Sequence, residues 1–319
     1  MGELAPDERA TWAGALNAAL AEALPAHELL LSRDAPGADQ AEVAIVANPA
    51  PGSLAGLPRL RLIQSLWAGV DRLLADTTLP AGVPLARMVD PAMNAAMAQT
   101  ALWAVLSLHR GFFSYARQQR AGLWAQLPQR RADEVRLLVL GFGEMGRTVA
   151  AVLVQAGYPV NAWRRGDGGA CPPGAGSQVP GLRLLHGDAA LLPALAGAAI
   201  VINLLPLTPA TRGLLNAQRL AAMPPGAALV NLARGAHLVE ADLLAALDAG
   251  ALSHAVLDVF QTEPLPADHA FWRHESVTLL PHAAALTDPR SAARVVAANL
   301  AALVQGRPLA NLVRRGAGY

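Results

Sequence analysis

Short apolar runs alternate with helical patterns along most of the chain. The runs include AEVAIVA at residues 41–47, LRLIQSL at 60–66 and RLLVL at 136–140. Each run has the length of a buried strand, and the stretches between them repeat apolar residues at helical spacing. Strands that alternate with helices are typical of a parallel sheet that helices cover on both faces. The pattern therefore predicts an α/β fold.

The length of 319 residues, with 53% hydrophobic content, predicts two domains with a cleft between them. From residue 94 to 120 apolar residues recur at helical spacing without proline, which predicts one long helix between the domains. The segment after residue 288 is too short for a domain, so we expect it to pack on the first hundred residues. The predicted domains are residues 1–98 with 288–319, and residues 99–287. Further strand candidates lie at residues 160–163, 199–205, 228–232, 254–259 and 277–280.

Composition excludes several kinds of chemistry. The 25 basic and 24 acidic residues are spread along the chain, so nothing indicates a nucleic-acid partner. Every basic residue is arginine, which excludes a Walker A loop, a pyridoxal Schiff base and a lysine general base. We also expect no metal.

Cysteine content and the terminal segments indicate the compartment. The single Cys171 cannot form an internal disulfide, which fits a reducing environment. The N-terminus carries acidic residues where a secretory signal is positively charged. The most apolar run, at residues 195–207, is shorter than the ~20 residues of a bilayer span. We therefore expect a cytoplasmic protein with no membrane partner.

A glycine-rich turn follows the strand RLLVL and opens a helical pattern. Its sequence GFGEMG, at residues 141–146, matches G-x-G-x-x-G in the strand-to-helix context that dinucleotide-binding domains have. The glycines permit a tight turn and a close approach to a pyrophosphate, whose charge the helix N-terminus meets. The alternative is a glycine-rich turn without a ligand. The predicted cofactor-binding residues are Gly141, Gly143, Glu144, Met145 and Gly146.

The end of the next strand indicates which dinucleotide binds. In such folds an acidic residue there accepts hydrogen bonds from the adenosine ribose, whereas this chain has Arg164 and Arg165. Two guanidinium groups suit a 2′-phosphate, with hydrogen bonds of roughly 1.5 to 3 kcal/mol each. The alternative is that both arginines are solvated surface charges. We therefore expect NADP (NADPH), with NAD as the alternative cofactor.

Three later segments each place a functional side chain just after a strand, where ligands bind in open parallel sheets. They are NLARG at residues 231–235, LDVFQTEP at 257–264 and LPHA at 280–283. Alone, each is more often structural. Together, behind the dinucleotide motif, they resemble the D-isomer-specific 2-hydroxyacid dehydrogenase family. Within it, INLLPLTPATRGLLN from Ile202 and the terminal RGAGY are similar to the glyoxylate/hydroxypyruvate reductase A type.

The resemblance implies roles for residues of the second domain. Arg234 would pair with the substrate carboxylate and polarise the keto oxygen, and His282 would protonate that oxygen. Glu263 would hold His282 and raise its pKa. Asp258 would fix the nicotinamide carboxamide. Further cofactor-binding residues by the same resemblance are Leu205, Pro206, Thr211 and Ala233.

The resemblance also implies a substrate loop and a partner. The loop after the strand LRLIQSL would receive the substrate carboxylate on its backbone amides. Trp124 would reach the active site of a neighbouring subunit, so we expect a homodimer. The loop's residues are Trp67, Ala68, Gly69 and Val70.

The implied function is NADPH-dependent reduction of a small 2-keto acid, with glyoxylate giving glycolate and hydroxypyruvate giving D-glycerate. Two alternatives remain open at this point. One is a dehydrogenase of the same superfamily that acts on another acid. The other is a dinucleotide-sensing binding protein of the corepressor type.

Overall fold

The computed structural model describes residues 4–166 and 179–319. The chain divides into two compact units, Met1–Met93 with Leu286–Tyr319, and Asn94–Ala285. Cys171, on which the expected reducing compartment rests, lies outside the described residues.

Helices and strands alternate along much of the described chain. The helices of the described residues are α1 (Pro6–Ala23), α2 (Asp71–Leu74), α3 (Pro91–His109), α4 (Phe112–Arg120), α5 (Glu144–Gln155), α6 (Leu191–Ala196), α7 (Ala217–Ala221), α8 (Glu240–Asp248) and α9 (Pro289–Val304). The strands are β1 (Val43–Val46), β2 (Leu62–Ser65), β3 (Leu85–Ala86), β4 (Leu137–Leu140), β5 (Val160–Arg164), β6 (Arg183–His186), β7 (Ile200–Asn203), β8 (Ala227–Asn231), β9 (Leu252–Leu257) and β10 (Val277–Leu279).

The first unit contains a three-stranded parallel sheet in the order β1-β2-β3. Helix α9 packs on α1, and buried Gln64 of β2 accepts a 2.9 Å hydrogen bond from the Asn299 amide of α9. The backbone of Val313 also bonds to β3 through the carbonyl of Leu85 at 2.8 Å. The C-terminal segment is therefore part of the first unit's core.

The second unit contains a seven-stranded parallel sheet in the order β10-β9-β8-β7-β4-β5-β6. Chain order reverses on either side of β4, because β5 lies on one side of it and β7 on the other. In open parallel sheets ligands bind at such a reversal, outside the carboxyl ends of the strands. The predicted α/β fold with parallel sheets is confirmed.

Strand β4 shows why the apolar runs are nearly continuous. Leu138 and Leu140 belong to the core on one face of the sheet, and Leu137 and Val139 belong to the core on the other. Successive strand residues point to opposite faces, so a strand buried on both sides must be apolar throughout. Each fully buried leucine stabilises the fold by roughly 1.5 to 3 kcal/mol.

The single long helix predicted for residues 94–120 is wrong. The structure has two helices, α3 and α4, separated at Gly111, which has a left-handed φ of 72°. A Cβ atom at this position would lie 2.8 Å from the Cδ1 atom of Leu127. Glycine therefore permits both the turn and the close packing, and the periodic pattern on either side hides the break.

Within residues 4–166 and 179–319, none of the helices combines the length and apolarity of a bilayer span. The same part of the chain has no group of three or more His, Cys, Asp and Glu side chains arranged to hold a metal ion.

Candidate active site

The loop between β4 and α5 uses its three glycines for different purposes. A Cβ at Gly141, where φ is 99°, would lie 2.7 Å from the carbonyl oxygen of Leu204, and one at Gly146 would overlap the carbonyl oxygen of Gly141. Gly143 instead faces open space, and a Cβ there would have no neighbouring atom within 4 Å. Two glycines thus close the turn, and the third keeps space free beside α5.

This free space suits a dinucleotide pyrophosphate. Gly143 immediately precedes the first residue of α5, so the space adjoins the helix N-terminus. The partial positive charge of a helix N-terminus favours anions. Because glycine has no side chain, a pyrophosphate could approach the backbone here. Gly143 and the N-terminus of α5 therefore fit the predicted cofactor.

Arg164 and Arg165 lie at the end of β5, the strand beside β4. Nε of Arg164 donates to Nδ1 of His186 at 3.0 Å, and Nε of Arg165 donates to the carboxylate of Asp188 at 3.1 Å. Sequence reasoning missed His186 and Asp188, which become neighbours of the arginines only through the pairing of β5 with β6. The predicted role of the two arginines with a 2′-phosphate stays a prediction.

The predicted cofactor segment after β7 is ordered by hydrogen bonds. The hydroxyl of Thr211 donates to the carbonyl of Pro206 at 2.8 Å, and the Thr208 amide donates to that hydroxyl at 2.8 Å. The Leu205 amide donates to the side chain of Asn203 at 3.2 Å. Leu205 and Thr211 are buried, so packing and hydrogen bonds both fix this segment at the carboxyl edge of the sheet.

Arg234 lies just after β8, in extended backbone with φ of −145°. One guanidinium nitrogen, Nη1, donates to the carbonyl of its neighbour Ala233 at 2.8 Å. A Cβ at the next residue, Gly235, would overlap the carbonyl group of Phe260. Only glycine allows this approach, which brings the Arg234 loop against the loop after β9.

His282 and Glu263 form a direct pair. Nδ1 of His282 lies 2.8 Å from Oε2 of Glu263, and the His282 side chain is 50% exposed. His282 has a left-handed φ of 55°, which is uncommon for a residue with a side chain and is found mainly where surrounding structure enforces it. The structure thus brings together two of the three residues predicted to be catalytic and leaves the imidazole accessible.

Asp258 supplies the bonds that enforce this backbone. Its carboxylate accepts hydrogen bonds from the amides of Ala283 at 2.7 Å and Ala284 at 3.1 Å, and its carbonyl accepts from the His282 amide at 2.9 Å. Burial raises the pKa of Asp258, and the two amides oppose this shift. Its predicted contact with nicotinamide stays a prediction.

The electrostatics of the pair favour a protonated His282. The hydrogen bond to Glu263 raises the pKa of His282 and, with the charge of Glu263, outweighs burial and the repulsion by Arg234. Burial alone would raise the pKa of Glu263, but the hydrogen bonds from His282 and the Phe260 amide and the charges of His282 and Arg234 lower it. The pair can therefore present a proton on Nε2, because Nδ1 is bonded to the carboxylate.

The predicted substrate loop belongs to the first unit and follows β2. The ring of Trp67 packs edge-on against Trp12 with centroids 6.0 Å apart. The backbone amide of Trp67 donates to the Ser65 hydroxyl at 3.0 Å, and its carbonyl accepts from the Met88 amide at 3.0 Å. Ala68 and Gly69 are half-buried and Val70 is buried. The predicted role of these residues with substrate stays a prediction.

Trp124 follows α4 in the second unit and is 98% exposed. Its neighbour Leu123 is also exposed, as are Trp103 of α3 and Phe112 of α4. Trp103 and Phe112 line the same surface cavity, and contiguous exposed apolar surface commonly marks an interaction site. The predicted contact of Trp124 with a second subunit stays a prediction.

Comparison with known proteins establishes the family. The family model described as "D-isomer specific 2-hydroxyacid dehydrogenase, NAD binding domain" matches residues 102–284. The chain belongs to the D-isomer specific 2-hydroxyacid dehydrogenase family. This confirms the resemblance that the three segments after β8, β9 and β10 indicate.

Individual members of the family are similar over nearly the whole chain. Glyoxylate/hydroxypyruvate reductase A of Serratia proteamaculans (strain 568) is 43% identical over 89% of this chain and 90% of that protein. A family structure from Xanthobacter autotrophicus Py2, in complex with NADPH and MES, has a TM-score of 0.90 at 38% identity and covers 99% of this chain and 98% of that one. The NADPH-dependent glyoxylate/hydroxypyruvate reductase of Sinorhizobium meliloti, with NADP and sulfate, has a TM-score of 0.84 at 32% identity and covers 96% of both chains.

Proposed function

We propose that this chain is an NADPH-dependent reductase of small 2-keto acids that converts glyoxylate to glycolate and hydroxypyruvate to D-glycerate. The observation that carries the proposal is the pair of His282 and Glu263 at 2.8 Å, at the carboxyl edge of a dinucleotide-binding sheet. Membership in the family and the names of the relatives support the same reaction.

The proposed catalytic residues divide the work between charge and proton transfer. NADPH, when bound, would supply the hydride for the keto carbon of the substrate. Arg234 pairs with the substrate carboxylate and polarises the keto oxygen. His282 gives the proton on Nε2 to that oxygen and becomes neutral, and Glu263 keeps Nδ1 hydrogen-bonded throughout. The product is a 2-hydroxy acid, and solvent water then returns a proton to the exposed imidazole.

The direction of the pKa shift favours reduction near neutral pH. Because the hydrogen bond to Glu263 raises the pKa of His282, the acid form persists above the ordinary value of about 6.5. Reduction needs this acid form, whereas oxidation of the alcohol needs the neutral imidazole as a base.

Several predicted residues would place the cofactor and the substrate. Arg164 and Arg165 would bind the 2′-phosphate, and the segment from Leu205 to Thr211 with Ala233 and Asp258 would line the rest of the cofactor site. The backbone amides of Trp67, Ala68, Gly69 and Val70 would receive the substrate carboxylate. An anion near Arg165 competes with Asp188 for the same guanidinium group, so we expect the 2′-phosphate to displace that ion pair.

We further propose that the protein is a cytoplasmic homodimer whose second copy covers the exposed apolar side chains of Trp103, Phe112 and Trp124. Burial of these side chains in the dimer would remove apolar surface from water. Light scattering after gel filtration tests this, because Phe112→Arg should give monomers. The matched control is Trp272→Arg, since Trp272 is an exposed tryptophan of the segment between β9 and β10. Equal masses for both variants would contradict the proposal.

The turnover assay follows oxidation of NADPH and of NADH with glyoxylate, hydroxypyruvate, pyruvate and phosphohydroxypyruvate as substrates. The proposal predicts fastest turnover of glyoxylate and hydroxypyruvate with NADPH, and its loss in His282→Ala. Preferred turnover of another acid would assign the protein to a different activity of the same family. No turnover of any acid, with NADPH still bound, would favour a dinucleotide-sensing role.

A further inference from the structure

Three wholly buried polar side chains connect two loops at the carboxyl edge of the second unit's sheet. Asn203 ends β7, Asn231 ends β8, and His237 follows Arg234 in a short 3-10 turn. All three side chains are 0% exposed. A buried polar group costs free energy unless it is hydrogen-bonded, so the partners of these side chains define their role.

Asn203 is the centre of the network. Its Nδ2 donates to Oδ1 of Asn231 at 2.9 Å and to Nδ1 of His237 at 3.0 Å. Its Oδ1 accepts from the Leu205 amide at 3.2 Å. Both amide hydrogens and the amide oxygen are therefore used, and the orientation of the amide is fixed because the Leu205 amide needs the oxygen as acceptor and Oδ1 of Asn231 needs an N–H donor.

Asn231 carries the network to Arg234. Its Oδ1 also accepts from the Ala233 amide at 3.3 Å, and its Nδ2 donates to the carbonyl of Arg234 at 3.1 Å. Asn203 and Asn231 are direct partners in the register of β7 and β8. The sheet itself thus sets their spacing, and through it the backbone of Arg234 is held.

His237 carries the network to the segment after β7. Because Nδ1 accepts from Asn203, the proton of the neutral ring lies on Nε2. Nε2 donates to the carbonyl of Pro206 at 3.2 Å, the same carbonyl that the Thr211 hydroxyl holds at 2.8 Å. A continuous chain of hydrogen bonds therefore runs from Pro206 through His237, Asn203 and Asn231 to Arg234.

We infer that His237 is a positioning residue: through Asn203 and Asn231 it fixes the spacing between the Pro206–Thr211 segment and Arg234. The inference rests on the proposed function, in which the Pro206–Thr211 segment binds the cofactor and Arg234 binds the keto acid. Hydride transfer requires both to be held precisely, and a misplacement of about 1 Å can cost about 100-fold in rate.

Three substitutions separate this role from simple packing. His237→Leu keeps the volume and removes both bonds. His237→Gln places an amide N–H near the position of Nε2 and restores the donor to Pro206, whereas His237→Asn restores only the acceptor for Asn203. His254→Leu is the matched control, because His254 is buried in the same unit and bonds Thr278 at 2.9 Å outside the network.

Steady-state kinetics with NADPH and glyoxylate are measured where every variant is fully folded, as thermal melting defines. We expect His237→Leu to lower kcat/KM by about 10- to 100-fold relative to His254→Leu, with KM rising for both glyoxylate and NADPH. His237→Gln should recover the KM for NADPH more than His237→Asn does. Equal losses in His237→Leu and His254→Leu, or no recovery by either amide, would overturn the inference.

Two readouts do not depend on turnover. Ring-nitrogen NMR of the wild type should show His237 protonated at Nε2 alone. Fluorescence titration with NADPH should show weaker binding to His237→Leu than to His254→Leu. If the wild type reduces no keto acid, the proposed function fails, but these two measurements still test whether His237 positions the cofactor segment. A proton on Nδ1 of His237, or equal NADPH affinities of the two variants, would contradict that role.

Discussion

His237 and His282 both follow strands of the same sheet, yet their surroundings give them opposite chemistry. His282 is half-exposed and its Nδ1 faces a carboxylate at 2.8 Å. His237 is buried and its Nδ1 faces the amide nitrogen of Asn203 at 3.0 Å. A carboxylate stabilises the imidazolium, whereas an N–H donor requires an unprotonated nitrogen. The partner of Nδ1, rather than the position after a strand, decides whether the histidine can be an acid.

The backbone conformations differ in the same way. His282 has a left-handed φ of 55° and is held by Asp258 through the neighbouring amides. His237 ends an ordinary 3-10 turn that begins at Gly235. Uncommon backbone that the surroundings enforce is typical of functional sites. The contrast therefore supports the two proposals, a proton donor at His282 and a positioning residue at His237.

The largest expected effect is on the chemistry of His282. His282→Ala should lower kcat for glyoxylate reduction by roughly 100- to 10,000-fold, because it removes the general acid. NADPH binding by fluorescence should not change, because the cofactor-binding residues remain. His237→Leu should lower kcat much less. An equal loss of kcat in the two variants would contradict the different roles proposed for the two histidines.

A second expected effect concerns stability. His237→Leu leaves a buried N–H of Asn203 without its acceptor, which costs about 1 to 3 kcal/mol of unfolding free energy. Urea unfolding of this variant and of His282→Ala measures the difference. A destabilisation of His282→Ala that exceeds that of His237→Leu would contradict the view that His237 is the structural member of the two.

A smaller effect sharpens the backbone contrast. At position 282, glycine should give a more stable protein than alanine by about 1 kcal/mol, because φ is left-handed there. At position 237, glycine should be the less stable of the two by about 0.5 to 1 kcal/mol. Urea unfolding of the four variants checks this reversal of sign, and the same order at both positions would refute it.

Local patterns could predict the fold and the ends of its strands. Buried parallel strands need continuous apolar runs, and the turn at GFGEMG needs its glycines, so β4 and α5 follow from residues 136–155. His282, Glu263 and Arg234 were found through segments that resemble a family, because a single histidine after a strand has no specific signal. Apolar runs and glycines therefore predict strands and turns, whereas the site residues needed the family resemblance.

The rest depends on which strands become neighbours. Asn203 and His237 are 34 positions apart, and they meet only because β7 pairs with β8. The ion pair of Arg165 with Asp188 depends in the same way on the pairing of β5 with β6. Helical periodicity continues across Gly111, so the break between α3 and α4 also escaped prediction. Such contacts are set by tertiary structure and carry no signal in a local window.

The central claim is that Glu263 keeps His282 protonated for transfer to the keto oxygen. Below about pH 6.5 the histidine is protonated in folded and unfolded states alike. Because its pKa is raised in the folded state, both the stability that the pair contributes and the reductase activity are lost as pH rises through the raised value. On the acid side, the lowered pKa of Glu263 keeps its carboxylate ionised below its ordinary range.

The pH dependence of kcat/KM for NADPH-dependent glyoxylate reduction, in the wild type and in Glu263→Gln, tests this claim most directly. We predict that activity of the wild type falls only above about pH 6.5, and that the falling limb moves to lower pH in Glu263→Gln because the neutral amide no longer stabilises the imidazolium. Falling limbs at the same pH in both proteins would contradict the claim.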